Sequence, residues 1–502
     1  MHSWLSFSPR CWLSVVMGGL LLALAGCAGT STSVAATATP ALAYTLADGG
    51  ACVQLGTHPQ LPIANVRVSQ DTFLAHSEPM IVQNPNNPLN LVGGSKFFTD
   101  LAHYQFKIGY YASFDGGCTW TDGGVFPGFA HERLTSDISF AFGEHNDVYA
   151  AMLNNTGPES GIAVAHSTDG GTTFSNPVSV FDDKTGKTFA DKPWIGIDDT
   201  NGPYSGSLYV VWSYDHFDCS GNGFCTQELG FSRSTDGGKT FSKVRLVEGS
   251  APFCTNPADG RPANSHKCDG ALGATPAVLP DGTLAVAYAY IGLTAKYIPT
   301  KLLVMTSPDG GTTWTTPVEA ASVTDLPPSF TGEKYRTATL PAFVADPSSG
   351  QLYIAWNTTN HGDADVFLAT SSDKGQTWSI PLRVNDDLVG NGANQFQPAL
   401  AVAPDGVVSV SFFDTRTDPA HKLIDVFLAQ STNHGTSFLP NVRVTTQSSN
   451  SALGQPTDDY GQGFFGDYQG LSADNLFVHP FWNDTRTGAQ EIFTAAMPSA
   501  QP

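Results

Sequence analysis

Short runs of apolar residues, broken by turn-forming residues, recur from about residue 63 to the C-terminus. Many runs come in pairs separated by a few residues rich in Gly, Pro, Asn or Asp, which is typical of two strands joined by a tight turn. Seven such hairpins are predicted, with turns near 84–90, 143–147, 198–207, 280–283, 346–350, 404–406 and 473–475. High Gly, Pro and aromatic content agrees with this pattern, which predicts an all-β, turn-rich protein.

A cassette close to Ser-x-Asp-x-Gly-x-Thr-(Trp/Phe) occurs six times. The copies occupy 113–120, 167–174, 234–241, 307–314, 371–378 and 431–438. The Asp can accept hydrogen bonds from backbone N–H groups of its own turn, Gly supplies a positive φ, and the final aromatic residue anchors the turn against a core. Copies that start 54 to 73 residues apart indicate repeated units that cannot bury their apolar faces alone.

The cassette is similar to the Asp-box (BNR) repeat, and the chain resembles the sialidase-like β-propellers over about residues 63–497. The resemblance implies a ring of four-stranded antiparallel blades, with the Asp-box turns on the face opposite the active site. The cassettes therefore indicate the fold. The loops of the other face are where the resemblance directs the search for function.

Seven inner hairpins against six cassettes predict one blade without a cassette. The segment Asn-Val-Arg-Val occurs at 441–444, after the sixth cassette, and again at 65–68, where no cassette precedes it. The N-terminal segment is therefore expected to supply the outer strand of the last blade, which removes free sheet edges. The prediction is a seven-bladed propeller over 48–502, closed by strands from both termini. A six-bladed ring with an extra hairpin, the blade number of sialidases proper, is the alternative.

The N-terminal segment has the pattern of an export signal. Arg10 precedes an apolar run at 13–25 that ends in Leu24-Ala25-Gly26-Cys27. This ending resembles a bacterial lipobox, which implies a signal peptide over 1–27 and lipidation of Cys27. An ordinary secretory signal is the alternative. Residues 28–47 are mostly Ala, Ser, Thr and Gly and predict a flexible tether. We expect an exported lipoprotein, periplasmic or at the cell surface, that meets the membrane through this lipid alone.

Charge narrows the classes of partner. The chain carries 24 Lys and Arg against 45 Asp and Glu, a net charge of −21. This argues against nucleic acid and against electrostatic adhesion to anionic lipid. A monomer that binds a glycan or another small extracellular ligand is expected, and an anionic sugar then requires a local basic pocket.

Six cysteines follow the leader: Cys52, Cys118, Cys219, Cys225, Cys254 and Cys268. An even number in an exported chain indicates disulfides, for which 15 pairings are possible. Short separations favour Cys219–Cys225 and Cys254–Cys268, leaving Cys52 for Cys118. The sequence contains no Cys-x-x-Cys and no EF-hand spacing, and we predict neither a metal nor a cofactor.

The resemblance to sialidases implies three arginines that grip a substrate carboxylate, a Tyr nucleophile and an Asp acid/base. The Arg-Ile-Pro motif of that family does not occur in this sequence. The loop 333–336 is expected to face the central funnel, where Glu333, Tyr335 and Arg336 are candidate site residues. Arg133 lies in the corresponding loop of the second blade. In both loops an exposed, solvated set of polar groups is the alternative interpretation.

Two further arginines lie in a repeated setting. Asp414-Thr415-Arg416 and Asp484-Thr485-Arg486 each follow the second strand of a predicted blade. Arg416 and Arg486 are therefore candidate substrate-binding residues from neighbouring blades. An Asp–Arg pair that locks a turn is the alternative, and its repetition in two blades favours that structural role.

The last innermost strand is preceded by Asp467 and Tyr468. Tyr468 is the leading candidate nucleophile and Asp467 a second catalytic candidate. A buried Tyr that hydrogen-bonds across the channel is the alternative. Asp191, before the third inner strand, is a candidate acid or a structural cap.

Three functions remain open at this stage. The first is a surface-tethered glycoside hydrolase of sialidase type that acts on terminal sugars. The second is a non-catalytic propeller that binds glycan or protein, and the third is an assembly scaffold. The fold does not choose among them, because unrelated functions share one architecture.

Overall fold

The computed structural model describes residues 54–55, 58–59, 63–129, 134–155, 159–216, 226–255, 266–292, 298–457 and 463–502. All of them belong to one compact unit, Leu46–Pro502. The described residues are almost entirely strand and turn, with a single 3₁₀ turn at Glu144–Asn146. Within these ranges, no helix has the length and apolar character needed to cross a bilayer.

Strands are numbered in chain order. A two-stranded ribbon contains β1 (Gln54–Leu55) and β2 (His58–Pro59). An eight-stranded sheet contains β4 (Leu74–Asn84), β5 (Asn87–Asp100), β6 (Gln105–Ser113), β7 (Thr121–Val125), β8 (Leu134–Phe142), β9 (Val148–Asn155), β10 (Ser160–Ser167) and β11 (Val178–Asp183). Its two antiparallel halves, β4–β7 and β8–β11, are joined by one parallel bridge between Phe106 and Leu134.

The next four antiparallel sheets follow one another along the chain. The third and fourth sheets contain β12 (Thr188–Ile197), β13 (Leu208–His216), β14 (Thr226–Ser234) and β15 (Arg245–Val247), then β16 (Ala271–Val278), β17 (Leu284–Gly292), β18 (Ile298–Ser307) and β19 (Val318–Ser322). The fifth contains β20 (Ala342–Ala345), β21 (Leu352–Thr358), β22 (Asp365–Ser371) and β23 (Leu382–Arg383). The sixth contains β24 (Gln395–Val402), β25 (Val408–Asp414), β26 (Leu423–Ser431), β27 (Val442–Arg443) and the short β28 (Ser449–Asn450).

The last sheet combines the three C-terminal strands with an N-terminal strand. It contains β29 (Gly470–Ala473), β30 (Phe477–Asp484), β31 (Glu491–Pro498) and the N-terminal strand β3 (Ile63–Arg67), in that order. β3 pairs antiparallel with β31, with Val66 opposite Thr494. The expected closure by an N-terminal outer strand is therefore present in the structure.

Hydrophobic clusters fill the spaces between successive sheets. In one of them, Leu302 and Val304 of the fourth sheet pack with Ile354 and Trp356 of the fifth. In another, Tyr111 of the eight-stranded sheet packs with residues of β30 and β31. The first strands also contact one another in a closed cycle, β4–β8–β12–β16–β20–β24–β29–β4. The protein is thus an all-β structure of four-stranded antiparallel units, consistent with a β-propeller.

The cassettes form turns between the third and fourth strands. In the third copy, the Ser234 hydroxyl donates to Asp236 at 2.8 Å, and Asp236 accepts from the Thr240 backbone N–H at 2.9 Å and the Thr240 hydroxyl at 2.6 Å. Gly238 has a φ of 78°, and its N–H donates to the Ser234 hydroxyl. The same bonds recur in the first, second, fourth and fifth copies. In the sixth copy Asn433 replaces the Asp: it accepts from the Ser431 hydroxyl and the Ser437 N–H, and its Nδ2 donates to the Ser437 hydroxyl. The Asp is committed to its own turn, which gives the cassette a structural role.

Candidate active site

The polar residues nearest the centre are presented by a repeated irregularity of the first strands. The pairing register shifts within β4, β8, β12, β16 and β24. At these shifts Glu78, Asp137, Lys192, Gly273 and Gln397 have φ values of 53°, 52°, 51°, 62° and 49°. A β-bulge re-aims a side chain, and left-handed φ values are uncommon for residues other than Gly. Four non-glycine side chains are therefore held in a costly conformation at equivalent places of four strands, β4, β8, β12 and β24.

Asp467, just before β29, is the anionic centre of a group of polar residues that we call the central cluster. Its members are Glu78, Lys96, Asp137, Asp191, Lys192, Arg336, Asp467 and Tyr468. It accepts from Nε and Nη2 of Arg336 at 3.0 and 2.7 Å, and from Nζ of Lys192 at 2.8 Å. Burial raises the pKa of the Asp467 carboxyl, but the two cations reverse this and hold the pKa well below its ordinary value. Asp467 therefore stays ionised, and its role is to position Arg336 and Lys192 rather than to donate a proton.

Tyr468 lies beside this ion pair and contacts a second carboxylate. Its hydroxyl donates to Oδ1 of Asp137 at 3.2 Å, and its ring meets the ring of Trp194 edge-on, with centroids 5.2 Å apart. Burial and the neighbouring carboxylates, Asp137 first among them, raise the pKa of Tyr468 well above its ordinary value. The phenol is therefore neutral, and Asp137 is positioned to receive its proton.

Asp191 precedes Lys192 in the same strand and is half-buried. Burial raises the pKa of Asp191, and the adjacent Lys192 ammonium partly opposes this increase. A carboxyl whose pKa is raised stays protonated to higher pH, as a general acid requires. Two carboxyls whose pKa values shift in opposite directions, Asp191 and Asp467, thus both interact electrostatically with Lys192.

A second ion pair lies behind the first. Nζ of Lys96 is 3.6 Å from Oε2 of Glu78 and lies over the rings of Phe106 and Phe464, at 4.1 and 4.2 Å from their centroids. Phe464 also contacts the guanidinium of Arg336, at 4.7 Å. Burial raises the pKa of Glu78 to about 7, because Lys96 compensates only part of the lost hydration. The aromatic ring couples the two ion pairs by direct contact.

A cavity of about 190 Å³ lies against this cluster. Lys192, Trp194, Asp467 and Tyr468 contribute to its polar side. The rest of the lining comes largely from apolar residues of the fifth and sixth sheets, such as Phe343 and Leu400. The cavity combines an aromatic and apolar wall with a few convergent charged groups, which is the usual composition of a small-ligand site.

The candidate residues of the loop 333–336 lie in three different environments. Arg336 reaches the central cluster, but Tyr335 is buried among the rings of Phe330, Phe396 and Phe465. Glu333 points elsewhere: it accepts from the Ser451 hydroxyl at 3.2 Å and lies 3.6 Å from Nζ of Lys422. The expectation that the carboxylate, phenol and guanidinium of this loop act together therefore does not hold.

Arg416 and Arg486 are each paired with the Asp two residues earlier. Nε of Arg416 donates to Asp414 at 2.7 Å, and Nη2 of Arg486 donates to Asp484 at 2.7 Å. Arg416 also contacts Asp386 and Asn441 in the loops that flank its sheet. Arg486 donates to the Thr446 hydroxyl at 3.0 Å. Neither shares a partner with Arg336, so these three arginines do not grip one common group. Both instead lock turns and link successive sheets.

The remaining candidates fall in different places. Arg133, Cys27, Cys52, Cys219 and Cys225 lie outside the described residues. Cys254 and Cys268 form the expected disulfide, and Cys118 is also disulfide-bonded.

Four residues of the cluster were absent from the sequence-based predictions: Glu78, Lys96, Asp137 and Lys192. A signal for part of this set exists in the sequence. Glu78-Pro79, Lys192-Pro193, Leu340-Pro341 and Gln397-Pro398 recur at the start of the predicted inner strands. Pro inside a strand marks a bulge or an edge, because it donates no ladder hydrogen bond. The residue before each such Pro is thus a position to inspect for a re-aimed side chain.

No protein-family model and no curated protein matches the chain. Among solved structures, a protein of unknown function from Dyadobacter fermentans is 14% identical, with a TM-score of 0.49 over 88% of this chain and 99% of that one. A Hadza microbial sialidase is 16% identical, with a TM-score of 0.47 over 78% and 73% of the two chains. An α-L-arabinanase from Penicillium chrysogenum, complexed with arabinobiose, is 16% identical, with a TM-score of 0.47 over 70% and 94%.

Proposed function

We propose that the chain is an exported, seven-bladed propeller that acts as a glycoside hydrolase on acidic sugars of extracellular glycans. The observation that carries the proposal is the hydrogen bond between the Tyr468 hydroxyl and Asp137, a carboxylate that also interacts electrostatically with Asp191. This chemistry needs a nucleophile with a carboxylate partner, a separate carboxyl with a raised pKa, and a cation.

In the proposed reaction, the Tyr468 oxygen attacks the anomeric carbon while its proton passes to Asp137. The glycosidic bond breaks at the same time, and Asp191 gives its proton to the leaving oxygen. Water then attacks the glycosyl–tyrosine bond, gives its proton to Asp191, and Tyr468 recovers its proton from Asp137. The pKa of Tyr468 is raised, so the phenolate does not form in advance, and proton transfer to Asp137 accompanies the attack.

Arg336 supports an acidic substrate. Two of its nitrogens are held by Asp467, while its side chain remains 36% exposed. Nη1 has no protein partner within the described part of the chain. A guanidinium fixed on one edge and open on the other is oriented for a charge-assisted bond to a sugar carboxylate. The uncharged Tyr468 does not repel such a substrate, whereas a carboxylate nucleophile does.

The test is release of 4-methylumbelliferone from its α-sialoside, with the α-L-arabinofuranoside as an uncharged comparison. Turnover of the sialoside that falls by about 10²-fold or more in Tyr468→Phe supports the proposal. Tyr353→Phe is the matched control, because Tyr353 is buried and its hydroxyl has no protein partner in the described structure. Turnover that is equal in both variants contradicts Tyr468 as the nucleophile.

A non-catalytic glycan-binding propeller is the second candidate. The raised pKa of Tyr468 opposes nucleophilic attack, and this observation favours binding without turnover. Sialyllactose that binds in calorimetry but is never cleaved, with binding lost in Arg336→Ala, supports this candidate. Cleavage products found in the calorimeter cell after the titration contradict this second candidate.

Export and anchoring rest on residues 1–47, which lie outside the described residues. We infer a lipid on Cys27 from the segment Leu24-Ala25-Gly26-Cys27. The full chain expressed in a bacterium is expected to partition into detergent, and Cys27→Ser into the aqueous phase. A Cys27→Ser chain that still enters detergent contradicts the lipid anchor.

A further inference from the structure

A second cleft lies between the fifth and sixth sheets and shares no lining residue with the central cavity. Its volume is about 690 Å³. It is formed by the segment before β20, the β21–β22 loop, the turn before β24 and the β25–β26 loop. The segment before β20 also carries Arg336, and all four segments are connections between strands, where binding residues are commonly placed.

The side chain of Asp363 is the unusual feature of this cleft. Asp363 is only 7% exposed and contributes to the lining. Its Oδ2 accepts from the Gly392 backbone N–H at 2.7 Å, whereas Oδ1 is buried and has no hydrogen-bond partner within the described ranges. A buried carboxylate oxygen without a donor is costly. A ligand that brings a donor to this oxygen is therefore favoured.

In other polar side chains of the lining, one atom is hydrogen-bonded to the protein and a second atom is available for a ligand. Oδ1 of Asn394 accepts from the Ala364 backbone N–H at 3.2 Å, so its amide nitrogen is the half available for a ligand. Nδ1 of His421 lies 3.2 Å from the Thr415 carbonyl, which assigns the proton to Nδ1 and leaves Nε2 as an acceptor. Asp325 accepts from the Thr339 N–H at 3.2 Å, and burial raises its pKa.

These groups define the chemistry of the ligand. Within the described residues, the lining contains two carboxyls and no Lys or Arg, so it disfavours an anion. The described residues also contain no group of three or more His, Cys, Asp or Glu arranged to hold a metal ion. Phe330, Leu326 and Pro327 supply apolar surface. Acceptors for hydroxyl groups next to apolar contacts for C–H faces suit a sugar ring.

The geometry points to a second carbohydrate site in this cleft, which binds a neutral sugar through hydroxyl groups donated to Asp363 and Asp325. The choice of a sugar as ligand rests on the proposed glycan function. The two sites then have opposite preferences: the central cluster offers a cation to an acidic sugar, and the cleft offers carboxyls to uncharged hydroxyls. A glycan with one acidic terminal residue and neutral residues behind it fits both.

The test titrates the full chain with methyl β-galactoside and methyl α-L-arabinofuranoside as neutral probes, and with sialic acid as the anionic probe. Saturable binding of a neutral probe, weakened about tenfold or more in Asp363→Asn, is expected. Ala420→Trp is the second variant: Ala420 is exposed and lines the cleft, so a large ring there blocks the site without disturbing a core. Asp405→Asn, at a half-buried turn outside the lining, is the matched control and is expected to bind as the wild type does.

Each result decides the inference. Neutral probes that do not bind, or that bind equally to all four proteins, overturn the cleft site. Sialic acid that competes with the neutral probe at the cleft overturns the charge preference. Turnover of the fluorogenic sialoside is measured in the same variants and is expected to persist in Asp363→Asn. Binding of a neutral probe without turnover of the sialoside supports the cleft site and contradicts the hydrolase. Turnover of the sialoside without binding of a neutral probe supports the hydrolase and contradicts the cleft site.

Discussion

Asn65 and Asn441 make the same pair of contacts with the sheet that precedes each of them. Nδ2 of Asn65 donates to the Val444 carbonyl at 2.9 Å, and Oδ1 accepts from the Thr446 N–H at 2.7 Å. Nδ2 of Asn441 donates to the Val384 carbonyl at 3.2 Å, and Oδ1 accepts from the Asp386 N–H at 3.0 Å. Since Asn441 enters the fourth strand of the sixth sheet, Asn65 marks β3 as the fourth strand of the last one.

Replacement of Asn65 by Ala is expected to weaken the closure of the structure. The substitution removes the two bonds above and the bond from the Thr446 hydroxyl at 3.0 Å, all partly buried. The free energy of unfolding is expected to fall by about 1–3 kcal/mol, measured by urea denaturation. Asn441→Ala is expected to lower the free energy of unfolding by a similar amount. Asn87→Ala, at the exposed first residue of β5, serves as the control; an equal loss there contradicts a special role for Asn65.

Much of the fold was predictable because its signals are local and repeated. The cassettes hold their turns through bonds within five residues, so their sequence alone predicts the geometry. The closure was predictable because Asn65-Val-Arg-Val68 and Asn441-Val-Arg-Val444 carry the same contacts. The structural interpretation of Asp414–Arg416 followed from the same repetition, and the structure places both members in one turn.

The site was only half predictable, because its contacts join distant parts of the chain. Lys192 and Asp467 are 275 positions apart, and no local pattern pairs them. Tyr335 and Arg336 were expected to act together. Successive residues of an extended segment point to opposite sides, so Tyr335 is buried in the core and Arg336 binds Asp467 in the central cluster. Asp137 and Lys192 reach the centre only through bulges, which period-two reasoning does not foresee.

Removal of the central carboxylate is expected to destabilise the protein strongly. Asp467→Asn leaves the Lys192 ammonium and the Arg336 guanidinium close together without their shared partner. A loss of about 3–5 kcal/mol in the free energy of unfolding is expected, as for other broken buried pairs. The double variant Asp467→Asn with Lys192→Met is expected to recover part of this loss. The exposed pair Lys184–Asp182 provides the control, because Asp182→Asn is expected to change stability by less than about 1 kcal/mol.

His479 is expected to make stability fall on the acid side. Burial lowers the pKa of His479 to about 4 from an ordinary value near 6.5, so the unfolded chain binds its proton first as pH falls. Stability from this group is complete above the unfolded value and is lost as pH drops through the interval down to about 4. His479→Gln is expected to flatten the profile by roughly 3 kcal/mol between these limits. Parallel profiles for the two proteins, from urea unfolding at each pH, contradict the assignment.

Arg336→Lys is expected to weaken substrate binding more than it slows turnover. Lysine cannot hold Asp467 at two points and also present a free nitrogen to the sugar carboxylate. Loss of one charged hydrogen bond, about 1.5–3 kcal/mol, corresponds to an increase in KM of roughly 10- to 150-fold for the fluorogenic sialoside, with kcat much less affected. Arg486→Lys is a close control, since Arg486 also pairs with an Asp and lies 4.7 Å from a Phe ring, as Arg336 does. It is expected to lower stability and leave KM unchanged. If both variants raise KM alike, the effect of Arg336 on KM comes from its role in the fold and not from a contact with the substrate.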